Sequence, residues 1–398
     1  MALGRRLVSV GDLHGDYTTT MQILRKMGLV DEAGDWSGGA ATLVQTGDQV
    51  DRGKDSLKIL NFLMRLQDQA PQSGGRVLLL YGNHEVMHLQ GSYDYLHITE
   101  LKEAGGRQVW QKLWEPEGDV GKRVRERFQA IALVGSTLFS HAGLLPQLAE
   151  GFAASIAGAP APADVVEAVN LWVRSQLAGP TTQLASLGDL SEETRAEFLD
   201  GHWEDQTRSS RASFLDFLGR NTGLVVGGPG PFWVDTFGDN TDETKVCELL
   251  SRTLAAFKAA RMVVGHMPQA NGRVRDRCMG RLLLADTAIS EAMSGPGFNH
   301  ASALDIDIES GTAVAQYLPP HRNTGLVSCG GHRAESCREC GDGPSFCHGM
   351  CTWRDDSCGL DQLSLPAEGL LVPLPEVPGA GRPADGSYTW SAAAAVVA

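Results

Sequence analysis

The sequence predicts an α/β protein: a largely parallel sheet with helices packed against it, a helical insertion, and a small cysteine-built appendage near the carboxyl end. Three observations predict it. The first 90 residues repeat one pattern three times, an apolar strand, a Gly-containing polar turn and then a helix. Further apolar runs after residue 130 end in polar residues of the same kinds. Six of the eight cysteines fall between Cys329 and Cys358, away from a cysteine-poor body.

LVSV (7–10) is the first strand, followed by GDLHGD and a helical stretch around 18–27. TLVQT (42–46) is the second, followed by GDQVDRG and by LKILNFLMRLQ (57–67), whose apolar residues recur at helical spacing. RVLLL (76–80) is the third, followed by YGNHEV. Ligand sites in parallel sheets lie at the carboxyl ends of the strands, where all three polar turns fall. Residues 93–130 read as helical, and the basic run GKRVRERF (121–128) within them reads as a solvated helix face. AIALV (130–134), TLFSHAG (137–143), RMVVGHMP (261–268), RLLLADTAIS (281–290) and the segment 303–318 read as further strands, the last two groups expected antiparallel. The expected organisation is a main domain over 1–322 with a helical cap or insertion at 150–245, a Cys-rich module at 323–360, and a disordered Pro/Gly/Ala-rich tail at 361–398.

Composition narrows the function classes. The chain has 398 residues, 42% hydrophobic and 21% charged, an ordinary globular balance. A formal charge of −14 argues against nucleic acid as a partner, because phosphate-backbone binding needs a basic surface. It does not exclude small phosphorylated substrates, since a metal can supply positive charge locally. No apolar run reaches the roughly 18 residues of a membrane span. No secretory signal is visible at the start, because the two early arginines lack an apolar stretch behind them.

The residues that follow the strands carry the chemistry: Asp12, His14, Asp48, Asn83, His84, His141 and His266. Carboxylate, imidazole and amide together suit borderline-to-hard divalent metals such as Mn, Fe or Zn. The lack of thiolates argues against a structural zinc site among them. Strand ends in such a sheet converge on one edge. Asp12, His14, Asp48, Asn83, His141 and His266 therefore suit two adjacent metals, with the central Asp48 as the bridge. Two metals about 3.5–4 Å apart can activate water and clamp a phosphoryl group for in-line displacement. Taken singly, a Gly–Asp pair is usually a turn, and a strand-end histidine is more often a hydrogen-bonded structural residue. The joint order GDLHGD, GDQVDRG, GNHE, SHAGLLP, VGHMP, each after an apolar run, is a much stronger signal.

These five blocks resemble the calcineurin-like metallophosphoesterase superfamily. Within it the chain is similar to the phosphoprotein phosphatase branch, and most to the bacterial-type, Shewanella-like protein phosphatases, over roughly residues 5–320. The resemblance implies a four-layer α/β/β/α sandwich with the metals at one edge. It implies that Asp12, His14 and Asp48 hold one metal, and that Asp48, Asn83, His141 and His266 hold the other. Manganese is the expected ion, with iron or zinc as alternatives. It further implies direct attack on phosphorus by a hydroxide bridging the metals, His84 as the general acid, and Asp51 as its cation-stabilising partner. Arg52 and Asn83 would bind the substrate phosphate. Elementary chemistry supports these roles, because a seryl or threonyl alkoxide leaves poorly without a proton donor. Arg52 can grip phosphate oxygens in fork geometry.

One block departs from the family pattern. The expected Gly-Pro-Leu-Trp-Tyr-Arg-like segment reads GPFWVDTF (230–237), so Asp235 stands where a phosphate-binding arginine belongs. A carboxylate there would repel a phosphate dianion, which leaves three readings: another arginine substitutes, with Arg208, Arg211 and Arg220 nearby in sequence, the substrate differs, or turnover is lower. The module at 329–358 has two readings: three disulfides, or a zinc site built on Cys337, Cys340, Cys347 and Cys351 with His332 or His348. Its similarity to small six-cysteine modules of algal and protist proteins favours disulfides, which fit an oxidising lumen or secretion and leave the compartment open.

The leading expectation is a two-metal phosphomonoesterase, a metal-dependent phosphatase acting on phosphorylated proteins or peptides. The alternatives are a hydrolase of dinucleoside polyphosphates or other small phosphate esters, and a weakened phosphatase-like binding protein whose Cys-rich module takes a glycan or protein ligand.

Overall fold

In the computed structural model the predicted strand–turn–helix units follow one another in order: β1 (Arg6–Val10), α1 (Tyr17–Lys26), β2 (Thr42–Gln45), α2 (Ser56–Gln69), β3 (Arg76–Leu80) and α3 (Asn83–Leu89). The structure describes residues 6–318 except 157–164, 179–190, 201–213, 215–216, 222, 239–240, 270–271 and 296–299, together with a few short strands after residue 318. β1, β2 and β3 pair in parallel, with Leu7 opposite Thr42 and Leu43 opposite Val77. Each helix starts or faces as its sequence dictates. Asp16 caps α1 by accepting from the Thr19 N–H, and the turn at the other end carries Arg25 and Lys26, which complement the helix dipole. α2 buries Ile59, Leu60, Phe62, Leu63 and Leu66 against the sheet.

Three short helices follow, α4 (Ile98–Glu103), α5 (Arg107–Trp114) and α6 (Asp119–Arg127). Next come β4 (Phe128–Gln129), β5 (Ile131–Val134), β6 (Thr137–Ser140) and, later, β7 (Arg261–Val264), β8 (Arg275–Arg277), β9 (Leu282–Leu284), β10 (Ser302–Asp307) and β11 (Ala313–Tyr317). The basic run on α6 is only partly a solvated face: Arg125 turns inward to donate to the carbonyls of Leu177 and Trp114. The expectation of antiparallel strands holds for β10 and β11, but β9 runs parallel to β7, with Met262 opposite Leu282, and antiparallel to β8.

Two sheets result. One contains β1, β2, β3, β4, β10 and β11, and the other has the order β5-β6-β7-β9-β8. Their packing explains the near-continuous apolar strands. Leu7, Val44 and Leu80 of the first sheet meet Ala132, Phe139, Val263 and Leu283 of the second in one core. Alternate residues Val8, Leu43 and Leu79 face the helices and join a larger core with Ile59, Leu63, Met262 and Leu282. A strand buried on both faces needs apolar residues at both parities. The arrangement is the expected α/β/β/α sandwich.

The stretch expected as a cap contains α7 (Pro146–Ile156), α8 (Val165–Leu177) and α9 (Glu192–Asp200). Asn170 of α8 ties it to the sheet: its Oδ1 accepts from the Ala130 and Ile131 N–H groups at 2.8 and 3.1 Å, and its Nδ2 donates to the Ile131 carbonyl at 3.0 Å. Cys247 and Cys278, isolated in the sequence, form a disulfide across 31 residues. It joins the helix Glu243–Phe257 to the turn after β8. Most of the Cys-rich module lies outside the described residues, and so does the choice between disulfides and zinc. Its described part includes the antiparallel strands Cys351–Arg354 and Ser357–Leu360. Within the stretch expected as a tail, Leu371 and Val372 pair with β11, whose edge offers free backbone groups. Among the described residues, no helix is long and apolar enough to cross a membrane.

Candidate metal centre and phosphate site

The polar turns after β1, β2, β3, β6 and β7 meet at one edge of the sandwich. They can approach closely because glycines precede the functional residues. A Cβ on Gly82 would lie 2.0 Å from Asp48 Oδ1, and one on Gly265 would lie 2.2 Å from Asp12 Oδ1. The backbone is also strained where the side chains converge. His14, Asp48, Asp51, Arg52 and His266 all sit at positive φ, between 40° and 70°. Non-glycine residues rarely adopt this region, and such outliers cluster at functional sites.

Asp48 is the centre. Its Oδ1 accepts from the His84 N–H at 3.0 Å, and its Oδ2 faces His141 Nε2 at 3.4 Å, His14 Nε2 at 3.6 Å and His84 Nε2 at 3.8 Å. Asp12 Oδ2 accepts from the His266 N–H, while its buried Oδ1 has no hydrogen-bond partner. On the other side, His141 Nε2 lies 2.8 Å and His266 Nδ1 lies 3.1 Å from Asn83 Oδ1. All six residues proposed as metal ligands therefore come together, along with His84.

The donor set fits cations. Backbone carbonyls of Val50 and Thr46 lie at hydrogen-bond distance from the Nδ1 atoms of His14 and His141, 3.1 and 2.9 Å. With the proton on Nδ1, both Nε2 lone pairs point at Asp48 Oδ2, and that of His141 also at Asn83 Oδ1. Lone pairs facing lone pairs in a buried space need a positive charge between them. Burial also lowers the pKa of His141, and that of His14 to about 4, which favours the neutral, ligating imidazole. Burial opposes ionisation of Asp48, so with His14 and His141 neutral its negative charge needs a counter-charge at the cluster. Asp12 is pushed up by burial and by Asp286 and Asp48. Two buried clusters with metal-ligand spacing share Asp48: His14–Asp48–His84 and Asp12–Asp48–His141.

His84 and Arg52 line the open side. His84 Nδ1 lies 2.7 Å from Asp51 Oδ2. Burial disfavours the His84 cation, but Asp48 and Asp51 outweigh it and raise the pKa. Asp51 is opposed by burial and held down at about 2 by His88 and His84. Arg52 sits 4.1 Å over the Tyr95 ring. A cavity of about 250 Å³ is lined by His14, Asp48, Arg52, Asn83, His84 and Trp233, among others. Asp235 is an exposed neighbour of this cavity, 3.5 Å from His266 Nε2, the ring nitrogen opposite the one facing Asn83. Arg208 and Arg211 lie outside the described residues, and Arg220 does not line the cavity.

Sequence reading missed several members. Glu85 is fully buried and accepts from the N–H groups of Gly82, Asp48, Gln49 and Val50, which sets the GDQVDRG turn against GNHE. Its place directly after His84 was a signal. Asp286 lines the cavity beside Asp12 and follows β9 as the other candidates follow their strands, so the same rule could have found it. His88, Trp110 and Tyr95 carried no signal of their own.

A family model described as calcineurin-like phosphoesterase matches residues 5–270. The chain is 30% identical over 187 residues to Shewanella-like protein phosphatase 2 of Arabidopsis thaliana, covering 36% of this chain and 47% of that protein. It is 28% identical over 291 residues to Shewanella-like protein phosphatase 1 of Plasmodium berghei, covering 72% and 67%. Among solved structures, the cold-active protein-tyrosine phosphatase of a psychrophilic Shewanella shares the fold, with a TM-score of 0.55, 23% identity and coverage of 79% and 78%.

Proposed function

The chain belongs to the calcineurin-like phosphoesterase family and is a metal-dependent phosphatase, and from that premise we propose that it hydrolyses phosphate monoesters on proteins or peptides. Asp12, His14 and Asp48 would hold one divalent ion, and Asp48, Asn83, His141 and His266 a second. Manganese is the proposed metal, with iron or zinc as alternatives, because the donors are carboxylate, imidazole and amide. When bound, two such ions supply Lewis acidity to the phosphoryl oxygens and acidity to a water.

The remaining steps belong to the chain. Arg52, 4.1 Å over the Tyr95 ring, and Asn83 both line the cavity, where Arg52 would grip two phosphate oxygens and the Asn83 amide would bind the same group. His84 donates the proton that the departing seryl, threonyl or tyrosyl oxygen needs. Asp51 keeps that imidazole charged and turned outward. The observation that carries this reading is the 2.7 Å contact of His84 Nδ1 with Asp51, which leaves Nε2 facing the cavity beside the ligand cluster. The phosphoprotein preference rests on the Shewanella-like phosphatases among the relatives.

The test assays the full chain with Mn²⁺ on phosphoserine, phosphothreonine and phosphotyrosine peptides, with diadenosine tetraphosphate alongside. Peptide hydrolysis is expected, with His84→Asn lowering kcat on phosphoserine by about 10²–10⁴-fold, the range of a lost general acid. Cleavage of the nucleotide alone would overturn the protein-phosphatase reading. An unchanged His84→Asn would overturn the acid.

A further inference from the structure

Asp51 serves two imidazoles at once. Its Oδ2 lies 2.7 Å from His84 Nδ1, and its Oδ1 lies 2.7 Å from His88 Nε2. Both histidines stand on α3 four residues apart, so one helix face presents both rings to one carboxylate. Behind His88, Trp110 of α5 donates its indole N–H to His88 Nδ1 at 3.2 Å. The contact settles a tautomer. An indole nitrogen can only donate, so His88 Nδ1 accepts and the ring proton sits on Nε2, aimed at Asp51 Oδ1. That oxygen is then occupied, and Oδ2 is left for His84.

The surroundings suit a fixed part. His88 and Trp110 are 1% and 0% exposed, and Tyr93 and Trp114 close on the His88 ring at 5.1 and 4.5 Å. A histidine that merely filled the core would be satisfied by any acceptor. This one takes the second oxygen of the carboxylate that holds the proposed acid.

We propose that His88 and Trp110 are positioning residues for the leaving-group proton transfer. They hold the Asp51 carboxylate at both oxygens, and so hold His84 with Nε2 toward the substrate. The inference rests on the reading of His84 as general acid, and the test separates the two.

The experiment compares kcat of the full chain with Mn²⁺ on a phosphoserine peptide, phenyl phosphate and 2,4-dinitrophenyl phosphate. The leaving oxygen needs a proton most in the first and least in the last. His88→Ala is expected to lower kcat on phosphoserine by about 10–100-fold, the cost of losing an outer-shell partner, with KM within about twofold. On dinitrophenyl phosphate it changes kcat by less than about threefold. His88→Gln, whose amide can donate to Asp51 from the Nε2 position, restores most of the loss. Trp110→Phe falls between wild type and His88→Ala. An equal loss on all three substrates, no loss at all, or His88→Gln as poor as His88→Ala would overturn the proposal. If His88→Ala does not fold, His88→Gln and Trp110→Phe decide: the leaving-group dependence of Trp110→Phe must be steeper than wild type. His84→Asn runs in the same series. Without a leaving-group dependence there, the acid reading fails. With one there but none in the His88 and Trp110 variants, only the positioning claim fails.

Discussion

Asp51 and His84 meet at 2.7 Å with side chains 0% and 6% exposed, whereas Asp235 and His266 meet at 3.5 Å with side chains 89% and 14% exposed. Both are carboxylate–imidazole pairs beside one cluster, yet their physics differs. Around Asp51 little water screens the charge, so the pair is stiff and strongly coupled. Its carboxylate is held by His88 and its backbone N–H by Ser56 Oγ, which in turn donates to the buried Glu100. Asp235 has solvent on most sides. The His266 imidazole holds its carboxyl somewhat below the usual range, but an exposed pair of this kind contributes only about 0–1 kcal/mol. The same two side-chain types therefore make a buried, closely held pair in one place and an exposed, adjustable rim in the other.

Three substitutions sharpen that contrast. Asp51→Asn is expected to have the largest effect, lowering kcat on a phosphoserine peptide by on the order of 10–100-fold as the imidazole loses its counter-charge. Steady-state kinetics checks it, and a loss below threefold would place the buried pair in the same class as the exposed one.

Glu100→Gln tests the support beneath the buried pair. Burial raises Glu100 to about 7, against an ordinary 4.5. A carboxyl raised on folding binds its proton more tightly in the native state. Its stabilisation is full below the unfolded value and is lost as pH rises through about 7. The uncharged amide removes that dependence. Denaturant titrations at pH 5 and pH 8 should show a gap in stability that shrinks by on the order of 1–3 kcal/mol in the variant. An unchanged gap would mean that Glu100 is not the group that titrates.

Asp235→Asn should do least, shifting kcat/KM and the Mn²⁺ midpoint of a thermal-shift titration by less than about threefold. A tenfold loss of Mn²⁺ affinity would instead make Asp235 an orienting partner of the His266 ring, equal in rank to Asp51. Either result replaces the simple repulsion that a carboxylate in an arginine's place suggests.

By itself, the sequence determined the strand and helix positions of the core and the identity of the ligand-type residues. Asp12, His14, Asp48, Asn83, His141 and His266 each follow an apolar run at a Gly-marked turn. Such signals are local: hydrophobic period and turn chemistry act within a few residues of the chain. Tertiary structure alone decided the parallel run of β9 beside β7, the Cys247–Cys278 disulfide and the four N–H groups gathered by Glu85. It also decided which nitrogen of each imidazole faces the cluster, and it brought His88, Trp110 and Tyr95 to the site. These depend on contacts between residues far apart in sequence, made only once the two sheets and their helices close around a shared core. A motif can name the atoms of a site, but their angles and protons are set by what packs behind them.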